Sequence, residues 1–242
     1  MKKKYYVFCV LILSIQYVFS QQNAVCTYKV EPTEENLQLK KSDKDAETGA
    51  KKLLLNALSL AKEFDVILKY NGVESISKIE IGMANESVKS NYLYAIAEAL
   101  VGKGVYYQNN KTKIKLRQVE SMGTLFVIRD SLNFKWNITN ISKKIGRFNC
   151  YKAILECDNC NGNGGIEEVW FTPEIPASFG PLGYGNLPGL IIELKKKTLV
   201  IRLKTIEFKK EKIQISEFKK GKFIKLTEYN NLTNGVRTKI KR

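Results

Sequence analysis

Acid–base chemistry in this chain would fall to carboxylates, lysines and serines, because its 242 residues contain no histidine. The missing imidazole excludes Ser-His-Asp and Cys-His nucleophile systems, together with histidine-ligated zinc and haem. The acid–base candidates are Glu167, Glu168 and Glu174. Glu167 and Glu168 adjoin on an expected strand and face opposite sides, so they cannot form a dyad. Glu168 shares a face with Trp170, which could desolvate its carboxyl group and raise the pKa, although a solvated glutamate is far more common.

The first twenty residues are typical of a secretory signal peptide. Three lysines at positions 2–4 are followed by an uncharged apolar run over 5–19. That run is shorter than the roughly 20 residues that a membrane-spanning helix needs, so we predict cleavage before Gln21 rather than an uncleaved anchor. The remaining chain, 21–242, is expected to be a single exported domain in the periplasm or outside the cell.

Export makes the four remaining cysteines, Cys26, Cys150, Cys157 and Cys160, candidates for disulfide bonds. An expected strand over 148–157 separates Cys150 from Cys157 by roughly 23 Å, whereas bonded cysteines need Cα atoms within about 7 Å. The same geometry nearly excludes Cys150–Cys160, which leaves Cys26–Cys150 and Cys157–Cys160. A redox role for the second pair is the alternative, but the pair precedes a glycine-rich turn and not a helix N-terminus. Two thiolates alone make a weak metal site, so we predict neither a metal nor a cofactor.

Positive charge is concentrated towards the C-terminal end. The chain carries 40 Lys and Arg against 24 Asp and Glu, and residues 193–242 hold 16 basic and 5 acidic residues, or +11 of the net +16. Exported proteins rarely meet nucleic acid and no aromatic-interleaved basic motif is present, so we predict no nucleic-acid partner. Alternating residues such as Arg202 and Lys204 favour a solvated sheet face, with weak attraction to anionic lipid or polysaccharide as the smaller alternative.

The elements that would position these residues indicate an α+β fold. Apolar residues at helical spacing predict three helices, over 46–64, 84–101 and 223–239. From residue 104 onwards, short strands separated by turns predominate, including a strand on each side of Asp130-Ser131 and an edge strand over 213–217. Short connections favour antiparallel pairing. We therefore predict one domain with a curved, mainly antiparallel β-sheet and two or three helices.

Prolines and glycines between residues 173 and 189 predict a rigid crossover between two strands, because proline fixes φ and glycine permits close backbone approach. The residues expected to shape it are Pro173, Pro176, Gly180, Pro181, Pro188 and Gly189. The residues expected to line a ligand or partner surface beside it are Trp170, Phe171, Phe179, Tyr184 and Leu187. The alternative is that these five side chains only close the core, which is the more common role of buried apolar anchors.

The crossover also carries a resemblance to a known family. The segment Leu187-Pro188-Gly189-Leu190-Ile191 follows Gly180-Pro181 and the strand of Trp170, and Ile145-Gly146 lies upstream, before Cys150. This pattern, over roughly 134–208, resembles the GLPGLI family, exported proteins found mainly in Bacteroidota. Asn186 stands where that family usually has glycine, and asparagine is the next-best residue for a left-handed backbone. The family has no established activity, so the resemblance implies export without a mechanism.

Three functions fit these observations. The first is a non-catalytic binding or interaction module of the cell envelope, which the lack of any nucleophile motif, phosphate-binding loop or metal cluster favours. The second is a periplasmic carrier of a hydrophobic ligand, which would show a large apolar cavity. The third is a hydrolase that works without histidine, which would show convergent buried polar groups. An interaction protein would instead have a filled interior, with Trp170 and Leu187 packed.

Overall fold

The computed structural model describes residues 23–33, 49–81, 92–131, 134–156 and 166–240. The signal peptide predicted for the first twenty residues and the Cys157–Cys160 pair lie outside these described residues. Within these described residues there are three helices, α1 (Gly49–Ala61), α2 (Tyr92–Val101) and α3 (Leu226–Ile240). The strands in the same ranges number twelve: β1 (Ala24–Pro32), β2 (Phe64–Tyr70), β3 (Glu74–Ile81), β4 (Val105–Asn109), β5 (Ile114–Ser121), β6 (Thr124–Ser131), β7 (Lys135–Ile145), β8 (Phe148–Glu156), β9 (Ile166–Thr172), β10 (Leu190–Lys196), β11 (Leu199–Phe208) and β12 (Lys222–Lys225).

All twelve strands belong to one sheet, in the order β12-β6-β5-β4-β3-β2-β1-β11-β10-β9-β8-β7. Every neighbouring pair is antiparallel except β12 with β6, which is parallel. Tight turns create five of the eleven neighbouring pairs. In the β2–β3 hairpin, for example, the Asn71 side chain accepts a hydrogen bond from the Glu74 backbone N–H at 2.8 Å. The predicted α+β class, with a mainly antiparallel sheet, is confirmed.

The sheet has two free ends, at β12 and β7, but it cannot be flat. Only three residues connect β6 to β7, so the strand ends are at most about 14 Å apart. In the order of the sheet, β6 is second and β7 is twelfth, and ten spacings of a flat sheet would separate them by roughly 48 Å. The sheet therefore bends around its own inner face. The predicted pairing of the strands on each side of Asp130-Ser131 is wrong, because β6 pairs with β5 and β12 while β7 pairs only with β8.

The main core lies on the inner face of the bend. Alternate residues of the central strands, such as Tyr28 of β1 and Leu68 of β2, are buried there. Helix α1 buries Ala57 and Leu58 in the same core and packs against α2 and β1. A smaller cluster lies apart from this core and includes Leu116 of β5. In the part of the chain that the structure describes, no helix is long and apolar enough to cross a membrane.

Two predictions near the C-terminal end need correction. Residues 213–217 form no strand; instead, Ile215 packs with Phe218 against Tyr107 and Leu116. The edge strand is β12, formed by the residues with which the third helix was predicted to begin, and α3 starts only at Leu226. Apolar residues in this stretch cover β4–β6, a role that their local spacing does not distinguish from strand formation.

The predicted Cys26–Cys150 disulfide is also wrong. Both thiols are free and buried. Cys26 lies on β1 and Cys150 on β8, with β11, β10 and β9 between them, a separation of about 19 Å along the sheet. Burial raises the pKa of both thiols, that of Cys150 to about 11. The prediction failed because the elimination of other pairings assumed that all four cysteines form disulfide bonds.

Candidate functional site

The crossover connects β9 to β10 and packs into the interior of the bent sheet. Its central turn, Pro181–Gly183, contacts β2, β3 and β4. The backbone N–H of Leu182 donates a hydrogen bond to Ser77 Oγ of β3 at 3.0 Å. The segment therefore packs against the inner face of the bent sheet.

The five residues predicted to line a surface do not lie together on one. Phe171, Phe179 and Leu187 are buried in the main core, with exposed fractions of 3%, 0% and 1%. Trp170 is 6% exposed and faces the opposite side of β9 from Phe171. Tyr184 is half-buried and is the one member of the set that reaches the edge of the interior.

Two glycines of the crossover lie where no larger residue fits. A Cβ atom on Gly189 would lie 2.0 Å from the carbonyl oxygen of Thr172, and φ of Gly189 is +154°. A Cβ atom on Gly180 would lie 2.7 Å from the Cδ1 atom of Ile191. The backbone of the crossover therefore touches both flanking strands directly, as a rigid connection requires.

Prolines and an asparagine set the remaining turns. Pro173, Pro176 and Pro188 are exposed, while Pro181 is buried at the start of the central turn. Asn186 adopts φ of +66°. Asparagine thus supplies the left-handed conformation expected where the resembled family has glycine.

On the outer face, Trp170 belongs to a charged cluster. The Lys143 ammonium group lies 4.1 Å from the centre of the Trp170 ring and 2.9 Å from the Glu193 carboxylate. Arg202 Nε donates to the same carboxylate at 2.6 Å. The Glu193 side chain is 5% exposed, so two cations compensate one buried anion. Arg202 and Lys204 are exposed, as the prediction of a solvated face requires, and Arg202 in addition pairs with the buried Glu193.

Glu168 does not have the raised pKa that its tryptophan neighbour suggested. Burial raises the pKa of its carboxyl group, but hydrogen bonds from Lys152 and from Trp170 Nε1 outweigh that effect and hold the pKa below its ordinary value. Glu168 is consequently a stable anion rather than a proton donor.

The other acid–base candidates offer no catalytic pair. Glu174 accepts hydrogen bonds from the backbone and side-chain amides of Asn149, at 2.8 and 3.0 Å. The side chain of Glu167 lies outside the described residues. Within the described ranges, no three His, Cys, Asp or Glu side chains are grouped so that they could hold a metal ion.

A row of polar residues crosses the inner face beneath the crossover. Strand register places Ser75 of β3 opposite Gln108 of β4, Gln108 opposite Lys115 of β5, and Lys115 opposite Asp130 of β6. Directly opposed residues in an antiparallel pair project to the same face with Cβ atoms about 5 Å apart. We call these four residues the polar row.

Lys115 holds a positive charge in a nearly closed environment. Its side chain is 10% exposed, and its ammonium nitrogen lies 3.7 Å from Asp130 Oδ2. The same nitrogen lies 4.4 Å from the ring centre of Phe134 and 5.2 Å from that of Tyr184. Burial lowers the pKa of Lys115 to about 8; the attraction of Asp130 counteracts this effect and the repulsion of Arg117 adds to it. A substantial fraction of the Lys115 side chains is therefore neutral at mildly alkaline pH.

Gln108 is the least satisfied member of the polar row. It is fully buried, and its Nε2 atom has no hydrogen-bond partner among the described residues. Its Oε1 atom lies 3.5 Å from Ser75 Oγ, a weak contact. A Cβ atom on Gly185 would lie 2.9 Å from Nε2, so the crossover lies directly over the amide. A buried donor without an acceptor costs about 1–3 kcal/mol.

Aromatic rings border the polar row where it approaches solvent. The ring centres of Phe134 and Tyr184 are 5.4 Å apart. Trp136 lies 5.8 Å from Phe134 and donates from Nε1 to the Gly185 carbonyl at 2.8 Å. Phe134, Trp136 and Tyr184 are all half-buried. The start of β7 therefore reaches across the interior and packs against the crossover.

A second buried lysine, Lys196 of β10, provides a contrast. Burial lowers its pKa to about 8 as well. Its ammonium group, however, donates to the carbonyl oxygens of Leu100 and Val101, both at 2.9 Å. These carbonyls belong to the last turn of α2, where a cation is favourable. Lys196 thus caps the helix with two short hydrogen bonds, whereas the carboxylate that pairs with Lys115, that of Asp130, lies 3.7 Å from its ammonium nitrogen.

Comparison with known proteins places only the crossover region in a family. A family model described as a protein of unknown function (Porph_ging) matches residues 159–193, which include β9 and the crossover. A search of curated proteins finds no match.

Among solved structures, the chain is similar to PNGF-II in crystals of space groups P21 and C2. The identity is 14% in both cases, over 87% of this chain, with TM-scores of 0.50 and 0.48. The chain spans about a third of that protein's length, 33% and 32%. At this identity the likeness in the P21 form shows a shared fold alone.

The polar row was missed by sequence reasoning. Lys113, which precedes β5, alternates with Lys115 and Arg117 of β5 as the residues of a solvated face do. Lys115 is unusual because other residues pack over it and bury it. These are residues 134 and 183–184, which are distant from Lys115 in the chain. No local signal distinguishes it from an exposed lysine.

Proposed function

We propose that the protein is an exported, non-catalytic binding module of the cell envelope, a member of the GLPGLI family, whose ligand site is the polar row with its aromatic border. The hexapeptide-like segment supports the family assignment, because it lies within the stretch that matches a family of unknown function. The lysine-led apolar start of the chain supports export to the periplasm or beyond. Mass spectrometry of the secreted protein should find Gln21 at its N-terminus.

The observation that carries the binding proposal is the buried, unpartnered amide of Gln108 beside Lys115. Buried polar groups normally have partners, and one that has none is a feature that a ligand can complete. Evidence against a carrier of hydrophobic ligands comes from the crossover, where Phe179 and Leu187 pack into the core instead of lining an apolar cavity.

One observation favours the alternative of a hydrolase without histidine, namely the lowered pKa of Lys115. An amine with a pKa near 8 can act as a base. A Ser-Lys pair, however, needs hydrogen-bond contact, and Ser75 is two strands away from Lys115, about 10 Å. The polar row also contains a single carboxylate, that of Asp130, and so lacks a second one for paired acid–base catalysis.

The test is a ligand-observed NMR screen of a fragment library against the wild-type protein, Lys115→Met and Lys196→Met. Fragments that bind the polar row should lose binding in Lys115→Met and keep it in Lys196→Met, since both substitutions remove a buried lysine but only one alters the row. If every bound fragment binds all three proteins equally well, the polar row is not the binding site. If no fragment binds any of the three proteins, the proposed site is rejected as well. Hydrolysis of ester or amide substrates that disappears in Lys115→Met would favour the enzyme instead.

A further inference from the structure

The polar row presents hydrogen-bond donors that its own acceptors do not fully satisfy. Gln108 Nε2 carries two N–H groups and has no partner among the described residues. The Lys115 ammonium group carries three, and Asp130 engages it in an ion pair at 3.7 Å, a distance longer than that of an ordinary hydrogen bond. Because Gln108 and Lys115 are opposed in register, their side chains point to the same region. A ligand that completes the row must therefore offer acceptor atoms.

The charges around Lys115 favour an anionic acceptor over a neutral one. The charged groups that act on Lys115 are Asp130 and Arg117. Lys115, Arg117 and Asp130 together give the inner face of β5 and β6 a net charge of +1. An anion would neutralise this charge, and in a nearly closed environment such compensation is worth more than in water.

The aromatic side chains that border the site suit a ligand with an apolar part. The rings of Phe134 and Tyr184 are half-buried and flank the Lys115 ammonium group. A flat or aliphatic group can lie against these rings while its polar end faces the donors. The half-buried rings and Asp130, whose side chain is 33% exposed, mark the side from which a ligand would enter.

We propose that the polar row binds the carboxylate of a small organic acid with an apolar body, one oxygen accepting from Gln108 Nε2 and the other from the Lys115 ammonium group. The inference rests on the proposed binding function and specifies its ligand class. A carboxylate supplies two acceptor oxygens and one negative charge, which matches both the donors and the charge of the row.

The probes are benzoate and benzamide, which share a ring and differ in charge. Titration at pH 7 is followed by NMR of the lysine side chains, in which Lys115 Cε should shift with benzoate. We expect benzoate to bind at least tenfold more tightly than benzamide. Lys115→Met and Gln108→Met should each weaken benzoate binding at least tenfold, and Lys196→Met should leave it unchanged. The Gln108 variant keeps the charge of the row, so it remains informative if Lys115→Met does not fold.

The outcomes separate the ligand class from the binding function. Equal binding of benzoate and benzamide, lost in Lys115→Met, would overturn the carboxylate inference and leave the binding module in place. Benzoate binding that survives both row variants would place the anion elsewhere on this basic protein and overturn the inference. If neither probe binds, the inference also fails, and the fragment screen alone decides whether the row binds anything.

Discussion

Replacing Gly189 by alanine introduces a single methyl group at the tightest point of the crossover. The new Cβ would lie 2.0 Å from the Thr172 carbonyl oxygen and 2.6 Å from its carbon. Real Cβ atoms are essentially never found closer than 3.0 Å, so the backbones must separate by at least 1.0 Å (3.0 − 2.0). Because the obstacle is the backbone of β9, no side-chain rotation can relieve the contact.

The cost follows from what that separation breaks. Leu190 pairs with Thr172 in the β9–β10 register, and its N–H donates to the Ile175 carbonyl at 3.1 Å. The N–H of Gly189 donates to the Leu187 carbonyl at 2.8 Å. Weakening two or three such bonds costs about 1 kcal/mol each, and alanine at a positive φ adds about 1 kcal/mol. We expect Gly189→Ala to lower the free energy of unfolding by about 3–4 kcal/mol.

The assay is urea unfolding followed by tryptophan fluorescence, with thermal unfolding by circular dichroism. For a domain of this size the expected loss corresponds to a melting temperature about 10 °C lower. Gly146→Ala is the matched control, because Gly146 also has a positive φ, +58°, but a Cβ there meets nothing within 4 Å. The control should lose about 1 kcal/mol.

A Gly189→Ala protein within 1 kcal/mol of Gly146→Ala would refute the reasoning, since the close approach would then cost nothing. Failure of Gly189→Ala to accumulate as folded protein agrees with the argument only if Gly146→Ala folds under the same conditions. The contrast between the two glycines therefore separates steric contact from backbone strain.

Three further predictions concern buried charges and thiols. The folded pKa of Lys196 is about 8 against an ordinary value of 10.5, so between these values the unfolded chain holds a proton that the folded chain has lost; this group alone should raise stability by about 2 kcal/mol from pH 8 to pH 9.5, and Lys196→Met should reduce the wild-type rise by that amount in urea titrations, while the similar contribution of Lys115 remains. Glu193→Gln leaves two cations around a buried site and should cost about 2–3 kcal/mol, whereas Glu207→Gln, at a fully exposed ion pair, should leave the unfolding midpoint unchanged. Cys26 and Cys150 should be alkylated by iodoacetamide without a reductant, but only in denaturant, as peptide mapping can establish; a Cys26–Cys150 linked peptide would contradict the free thiols.

Local patterns were sufficient for much of the fold. The apolar face of α1 depends on residues within one or two helical turns of each other, so the sequence predicts this helix directly. The close approach at Gly189 was predicted for the same reason, since a Pro-Gly step between two strands constrains its own backbone.

The short β6–β7 connection shows where local reasoning fails. Two strands separated by only three residues usually form a hairpin, yet β6 and β7 lie towards opposite ends of the sheet. The pairing is decided by β12, which occupies the free edge of β6 from nearly a hundred residues downstream. Such a contact leaves no trace in the spacing of residues around Asp130.

The sequence by itself determined the α+β class, the rigid crossover and the absence of histidine chemistry, because composition, turn residues and short-range periodicity act locally. Only the tertiary structure decided that Cys26 and Cys150 stay apart, which distant strands the bend of the sheet brings together, and that Lys115 is covered while Lys113 is exposed. The physical reason is that burial depends on which distant segment packs over a residue. For Lys115 that segment is the crossover with the start of β7, and its cover turns an ordinary strand lysine into the centre of the candidate site.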